Sequence, residues 1–137
     1  MQTFVPYQDF QETAACLDYR RLGKQRVECK QIYKALTEEN YGWKNHPATK
    51  MWRGYGAALC SYAVVICTEW ISRGYKDTLL PFFQSRLPTD GEIELPPWYG
   101  RLDVHLSHRS NLVRKLPSHY RTYWPDVADD LPYVWPV

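Results

Sequence analysis

One stretch constrains the fold more than any other: residues 57–67, AALCSYAVVIC, are apolar on nearly every side of a helix. This stretch lies inside a helix that we predict from Ala48 to Arg73, with Gly74 as its C-cap. A helix that is apolar all round is stable in water only when other elements surround it. No strand pattern competes with this interpretation of the sequence. The stretch therefore predicts the central helix of an all-α bundle.

Two further helices are predicted from the spacing of their apolar residues. In residues 18–38 the apolar positions include Leu22, Cys29 and Ile32. In residues 102–116 the apolar stripe consists of Leu102, Leu106, Val113 and Leu116. Ahead of both, Asp9 or Thr13 is placed to cap a short first helix.

The remaining segments predict long irregular connections. Residues 81–100 contain four prolines, and the tail after residue 117 is aromatic and proline-rich. We expect this tail to wrap over the helices, with Trp124 and Trp135 as anchors. A chain of 137 residues fits one domain. The predicted fold is a compact, single-domain, all-α bundle of three or four helices with long irregular connections, spanning residues 1–137.

The cysteines and the first residues bear on the setting in which the protein works. The four cysteines include no CxxC pair, so a zinc ribbon or a redox motif is not expected, and Cys29, Cys60 and Cys67 lie among apolar residues. The first ten residues lack the basic and apolar regions of a signal peptide. The longest apolar run is too short to span a bilayer. We expect a cytoplasmic monomer without membrane contact.

Positive charge is concentrated in two segments. Residues 20–34 carry six cations and one carboxylate, and residues 101–121 have a net charge of +4. On a near-neutral chain this pattern indicates an assembled groove for nucleic acid, although two solvated helix faces would give the same pattern. The 11 tyrosines and 6 tryptophans suit stacking on bases. We expect double-stranded DNA as the partner, contacted by Arg20, Lys24, Arg26, His105, His108, Arg109, Arg114, Lys115, Arg121, Tyr120, Tyr123 and Trp124.

Glu28 is the one carboxylate within the first basic segment. Arg21, Lys24 and Glu28 lie three and four residues apart and share a helix face. A lone carboxylate among cations stays ionised, which suits electrostatic or general-base work. An ordinary ion pair between Lys24 and Glu28 explains the same spacing.

His105, His108 and Arg109 share a face of the last predicted helix. They suit contacts with phosphate or hydrogen bonds at a helix end. A metal site formed with Asp103 and His119 would require ligands from different faces, and the HExxH spacing is missing, so no metal is expected. The sequence also lacks the Walker, GxGxxG and GxSxG motifs, so no cofactor is expected.

Five segments carry a resemblance to a known family: LDYRRLGKQRVE, NHPATKMWRGY, ISRGYKDT, HLSHRSNLVRK and DDLPYVWP. Together they resemble a family of small bacterial and phage proteins that is distantly related to the phage pyrimidine-dimer DNA glycosylases, also called endonuclease V. Those proteins are compact, mainly helical single domains of about this length. The resemblance implies an endonuclease V-like fold and a role in DNA repair.

The resemblance also implies a mechanism. In the dimer glycosylases the α-amine of the first residue attacks C1′ of the damaged nucleotide, assisted by a glutamate on the first helix that arginines flank. A Schiff base forms, the base leaves, and the strand is cut by β-elimination. Gln2 is too large for the usual removal of the initiating methionine, so this amine is expected on Met1. An α-amine has a pKa of about 8, so far more of it is unprotonated at neutral pH than of a lysine.

The family's glutamate has no direct counterpart in this chain. The family segment reads Tyr-Arg-Glu-Leu-Pro-Arg, and Tyr19, Arg20 and Leu22 match it. Arg21 stands where the glutamate is expected. Glu28 lies two turns further along the same face, about 10 Å along the helix axis, and can replace it if the substrate lies differently. Arg21 and Glu28 therefore join the N-terminal amine as candidate catalytic residues.

Three functions are compatible with these patterns. The first is a DNA glycosylase with AP lyase activity on a damaged or modified pyrimidine. The second is a non-catalytic module that binds modified or distorted DNA, which Arg21 in place of the glutamate favours. The third is an enzyme on a small nucleotide that holds phosphate with His105, His108 and Arg109. The first two predict salt-dependent binding of duplex DNA, whereas the third predicts a small closed pocket.

Overall fold

The computed structural model describes residues 2–136, and in that range the regular structure consists of seven α-helices and no strand. The helices are α1 (Phe10–Cys16), α2 (Tyr19–Thr37), α3 (Pro47–Met51), α4 (Gly56–Ser72), α5 (Leu80–Gln84), α6 (Leu102–Lys115) and α7 (Pro117–Tyr120). This confirms the all-α class, and α2 and α6 agree with prediction to within one residue at each end. Three of the short helices, α3, α5 and α7, were not predicted separately, because four or five residues are too few to show a period.

The central helix is α4, as its sequence predicts. Its buried side chains are Ala58, Leu59, Cys60, Tyr62, Ala63, Ile66 and Cys67. It packs against α1, α2 and α5. The helix ends at Ser72, and Gly74 follows in the left-handed conformation at φ 94°, which glycine adopts without strain. The apolar stretch therefore occupies the middle of the molecule.

The single helix predicted over residues 48–73 is wrong, because the chain forms two helices there. The first, α3, ends at Met51, and α4 begins at Gly56. Between them Gly54 has φ 87°, a left-handed conformation that interrupts the helix. The turn leaves Trp52 fully buried in the core rather than on a helix face.

The apolar stripe predicted for α6 holds at Val113, which is buried, and at Leu116, which packs against the core, but not at its first residue. Leu102 is 67% exposed, and much of the buried face is polar. Val134 N donates to Ser107 Oγ at 3.2 Å, and Leu131 N donates to Ser110 Oγ at 3.0 Å. The polar face is buried because it supplies hydrogen bonds to extended backbone that has no strand partner of its own.

The tail packs over the helices, as predicted. Trp124 is buried, its ring stacks on Tyr120, and its Nε1 donates to the Tyr7 hydroxyl at 3.0 Å. Trp135 is half-buried and packs against the core. The buried apolar side chains from Phe4 to Trp124 belong to one cluster, so the N-terminal segment and the tail share a core.

Cys29, Cys60 and Cys67 lie in the core, as their apolar neighbours in the sequence predict. The cysteines Cys16, Cys29, Cys60 and Cys67 are all unpaired and buried. Burial raises the pKa of Cys16 and Cys67 to about 12 and that of Cys60 to about 11, so these thiols behave as small apolar groups. Within residues 2–136, every helix is too short or too polar to cross a bilayer.

Candidate active site

The first described residues, Gln2 to Pro6, are all buried. Chain ends are ordinarily exposed and poorly ordered unless specific contacts hold them. Here side chains from α2, α4 and α6 hold this segment by hydrogen bonds to its backbone. Residues 2–6 are therefore a fixed part of the core.

Gln25 on α2 makes the largest share of these contacts, and it is 1% exposed. Its Oε1 accepts a hydrogen bond from Phe4 N at 2.9 Å, and its Nε2 donates to Gln2 O at 2.9 Å. Nε2 also donates to Glu28 Oε2 at 3.0 Å. One side chain thus satisfies the backbone of two N-terminal residues and touches the carboxylate beside them.

Two aromatic side chains also form hydrogen bonds with this segment. Trp52 Nε1 donates to Thr3 Oγ1 at 2.8 Å, and the Tyr62 hydroxyl donates to Phe4 O at 2.6 Å. Thr3, Trp52 and Tyr62 are each 0% exposed. Polar groups buried this deeply are costly to separate, so these contacts fix the segment in place.

His105 and His108 on α6 hold the next residue, Val5. His105 Nδ1 donates to Val5 O at 2.7 Å while its Nε2 accepts from Gly100 N at 3.0 Å. His108 Nδ1 accepts from Val5 N at 2.9 Å. Each ring accepts through one nitrogen and is therefore neutral. Burial lowers the pKa of both, and that of His108, next to His105, falls to about 3.

Arg109 binds the segment one residue later. Its Nε donates to Pro6 O at 2.7 Å, and its guanidinium lies over the rings of Tyr7 and Trp124. This corrects the expectation that His105, His108 and Arg109 present a phosphate site. The two histidines are buried and engaged with Val5, and the arginine head is committed to backbone and aromatic rings.

A cavity of about 330 Å³ lies beside the N-terminal segment. Its lining consists of Gln2, Phe4, Arg20, Arg21, Lys24, Gln25, Glu28, Lys115 and Tyr133. Three of the cations belong to the first basic segment, and Lys115, at the end of α6, belongs to the second. The two basic segments therefore meet at this cavity, as a groove between them requires.

Glu28 lies in the wall of the cavity and is 7% exposed. Besides Gln25, its Oε2 faces Gln2 N at 3.5 Å, and its Oε1 lies 3.7 Å from Lys24 Nζ. The Lys24 side chain is largely exposed, so this ion pair is weak in water. Glu28 is thus both an ion-pair partner and the carboxylate nearest the start of the described chain.

Arg21 is oriented by its neighbour Asp18. Its NH1 group lies 3.3 Å from both oxygens of that carboxylate. The Tyr120 hydroxyl also donates to Asp18, while Asp18 N donates back to it at 3.0 Å. Burial opposes ionisation of Asp18, but these partners outweigh it and hold its pKa below its ordinary value. Arg21 therefore faces the cavity as a paired cation.

Several basic residues predicted at the groove are engaged elsewhere. Arg26 pairs with the buried carboxylate of Asp77 and lies 4.6 Å from the centre of the Trp70 ring. Arg121 donates to Val127 O at 2.5 Å and so braces the tail. These arginines lie outside the cavity lining because buried acceptors draw their heads inward.

Arg114 also bonds to groups outside the cavity, and two aromatic residues of the tail are buried. Arg114 donates to Asp129 O at 2.7 Å and also to Asn111. Tyr120 and Trp124 are buried in the core, so their faces are closed to a base, whereas Tyr123 is 45% exposed. Of the predicted contacts, Arg20, Lys24 and Lys115 line the cavity.

The sequence patterns did not point to Gln25, whose side chain bonds to Gln2, Phe4 and Glu28. A signal was present, because Gln25 stands on the apolar stripe with Leu22, Cys29 and Ile32, at helical spacing. A glutamine on a buried stripe needs buried partners for both ends of its amide. What the sequence does not reveal is that those partners are the backbone of Gln2 and Phe4.

Within residues 2–136, no three histidine, cysteine, aspartate or glutamate side chains converge closely enough to hold a metal ion.

Comparison with protein families gives a match. The family model described as pyrimidine dimer DNA glycosylase matches residues 1–80. That range contains α1 to α4, and with them Gln25, Glu28 and Tyr62, whereas α6 lies beyond it. Searches of curated proteins and of solved structures each gave no match.

Proposed function

Because this chain belongs to the pyrimidine dimer DNA glycosylase family, we propose that it excises a damaged pyrimidine from double-stranded DNA, using its N-terminal α-amine as the nucleophile. It would act as a monomer in the cytoplasm and cut the strand after excision, as an AP lyase does. The family supports glycosylase activity and DNA as the partner. The amine mechanism is what the sequence resemblance implies, and the geometry around Gln2 supports it.

One observation carries the proposal: the backbone nitrogen of Gln2 is buried and lies 3.5 Å from Glu28 Oε2, at the edge of a basic cavity. Met1, the proposed nucleophile, lies outside the described residues. Its α-amine is nevertheless only three covalent bonds from Gln2 N, a path of about 4 Å at most. The segment that carries the amine is therefore held next to a carboxylate, as an attack geometry requires.

The chemistry assigns a task to each group. The neutral amine forms a bond to C1′ as the bond from C1′ to the base breaks, and the base keeps that electron pair. Glu28 takes a proton from the attacking nitrogen and passes it to the departing base, and opening of the sugar then gives the Schiff base. Arg20, Lys24 and Lys115 are exposed enough to bind the phosphates on either side.

Arg21 takes the position of the family's glutamate, and we assign it an electrostatic role. A positive charge near the reacting nucleotide stabilises the negative charge that develops on the departing base. Arg21, with Arg20 and Lys24, supplies that charge in the cavity lining. In this chain the proton transfer passes to Glu28, further along α2.

Borohydride trapping tests this function directly. The protein is incubated with a duplex that contains a single thymine dimer, and with the same duplex undamaged, in the presence of borohydride. A covalent adduct on the damaged duplex is the expected result. Glu28→Gln should reduce its rate by about 100-fold or more, and acetylation of the α-amine should abolish it, with duplex binding unchanged in both. Glu69→Gln, on the half-exposed surface of α4 beside Arg73, is the matched control.

A second function, binding of distorted DNA without chemistry, is favoured by one observation. Arg21 occupies the glutamate position and is held by Asp18, where it serves phosphate binding better than proton transfer. This alternative predicts tighter binding to the dimer duplex than to the undamaged one, but no adduct. Selective binding without trapping would therefore replace the glycosylase proposal.

A further inference from the structure

Gln2 has a side-chain donor that the fold leaves unused. The residue is 5% exposed and lines the cavity. Its Oε1 accepts a hydrogen bond from Thr3 N at 2.9 Å. Its Nε2 has no hydrogen-bond partner among residues 2–136.

The orientation of this amide is fixed by its neighbour. Thr3 N is a donor, so it must face the amide oxygen and not the amide nitrogen. The backbone of Gln2 is itself held, since its carbonyl accepts from Gln25 and its nitrogen faces Glu28. Flipping the amide would place Nε2, a donor, against Thr3 N, which is also a donor. The amide therefore keeps this orientation, with its N–H groups unpaired.

A buried donor without a partner is costly, and native structures keep few of them. Each such group calls for an explanation, and a ligand that supplies the missing acceptor is one. Gln2 is the residue next to the proposed nucleophile, and it lines a cavity whose volume suits a small ligand. Cations on the same wall attract phosphate, so the expected ligand is a nucleotide.

We propose that Gln2 Nε2 donates a hydrogen bond to the C2 carbonyl oxygen of the pyrimidine that is excised, which makes Gln2 a catalytic residue; this inference rests on the proposed function. In a pyrimidine nucleotide the C2 carbonyl is attached to N1, and N1 is bonded to C1′. A group beside the nucleophile that attacks C1′ is therefore also beside this oxygen.

The hydrogen bond matters most while the base leaves. As the bond between C1′ and N1 breaks, N1 keeps the electron pair, and the negative charge spreads onto the C2 oxygen. A donor already in place stabilises that charge without reorganisation. When the base has taken up its proton, the charge is gone and the hydrogen bond weakens.

The test compares two reactions of the same enzyme. One duplex contains a thymine dimer, so that a base must be excised before the strand is cut. The other contains a preformed abasic site, where the amine can act but no base is present to meet Gln2. Single-turnover rates on both duplexes are measured for the wild type, for Gln2→Glu and for Gln2→Met.

Both variants keep a large second residue, so Met1 is retained as the first residue. Gln2→Glu preserves the oxygen that accepts from Thr3 N but replaces the donor, whereas Gln2→Met removes the donor without adding charge. We expect each to lower excision at the dimer by at least about 10-fold relative to cleavage at the abasic site.

The possible outcomes separate the inference from the proposed function. An unchanged ratio of the two rates in both variants overturns the role of Gln2 and leaves the proposed function intact. Equal reduction on both duplexes shows that Gln2 only positions the amine, and overturns the inference as well. If the wild type cuts neither duplex, the proposed function itself fails.

Discussion

Gln25 Nε2 lies 3.0 Å from Glu28 Oε2, so the side chain that holds the start of the chain also orients the carboxylate beside it. The two residues are one helical turn apart on α2, and helix geometry brings side chains at this spacing together. A change at Gln25 should therefore affect both the N-terminal segment and the proposed chemistry.

Gln25→Leu keeps the size of the side chain and removes its polar groups. Buried Phe4 N and Gln2 O are then left without partners. We expect the free energy of unfolding to fall by about 2–4 kcal/mol, measured by urea denaturation. Borohydride trapping should fall further than stability explains, since the amine is no longer positioned. Gln31→Leu, on a half-exposed part of α2, is the control.

Stability should decrease in mild acid because of His108. Burial lowers its pKa from 6.5 to about 3. The unfolded chain therefore binds this proton at a higher pH than the folded chain does. The contribution is complete above pH 6.5 and is lost as the pH falls toward 3, with a slope of up to about 1.4 kcal/mol per pH unit.

The same buried ring suggests the variant that checks this pH dependence. His108→Asn removes the titrating group, and its amide oxygen can still accept from Val5 N. Urea denaturation between about pH 7 and pH 4.5 should show a smaller decrease in stability for the variant than for the wild type. Parallel curves would contradict the assigned cause.

Lys24 and Lys115 come from the two basic segments and line one cavity. If both bind phosphates, Lys24→Gln and Lys115→Gln should each weaken binding to damaged and undamaged duplexes alike. The slope of log K against log salt should decrease by about one for each phosphate interaction that a substitution removes. Binding measured by fluorescence anisotropy at several salt concentrations gives both quantities.

The control for charge removal is Arg86→Gln. Arg86 is exposed and packs over Phe82 and Tyr33, outside the cavity lining. The substitution removes one positive charge at a different place, so the salt slope should not change. A similar change of slope in all three variants would show that net charge, and not a groove, drives binding.

Gly23 permits the close approach of Trp70 to α2. A Cβ at this position would lie 2.8 Å from Trp70 Cη2, and the ring is held by stacking on Tyr75 and by the cation of Arg26. Alanine gains about 1 kcal/mol of helix propensity, but overpacking costs about 1–3 kcal/mol. We expect Gly23→Ala to lower the melting temperature. Gly42→Ala, which meets no atom within 4 Å, should not.

The sequence by itself determined the features that depend on local periodicity and on charge. Residues 57–67 predict the central helix because only a surrounded helix can be apolar on all sides. The bounds of α2 and α6 follow from the spacing of their apolar residues, to within one residue. The family could also be recognised from the sequence, because each segment that carries the resemblance is an unbroken stretch of the chain.

The tertiary structure decided which polar side chains are buried and which groups they bond to. On a helical wheel, His105, His108 and Arg109 share a face that suits phosphate binding. In the structure they instead form hydrogen bonds with the backbone of Val5 and Pro6. Their partners are backbone groups about a hundred residues away in sequence. Backbone acceptors and donors look alike at every position, so no pattern in the sequence identifies which ones a side chain will meet. Only the packing of the N-terminal segment between α2, α4 and α6 makes that choice, because each buried polar group must find a partner there.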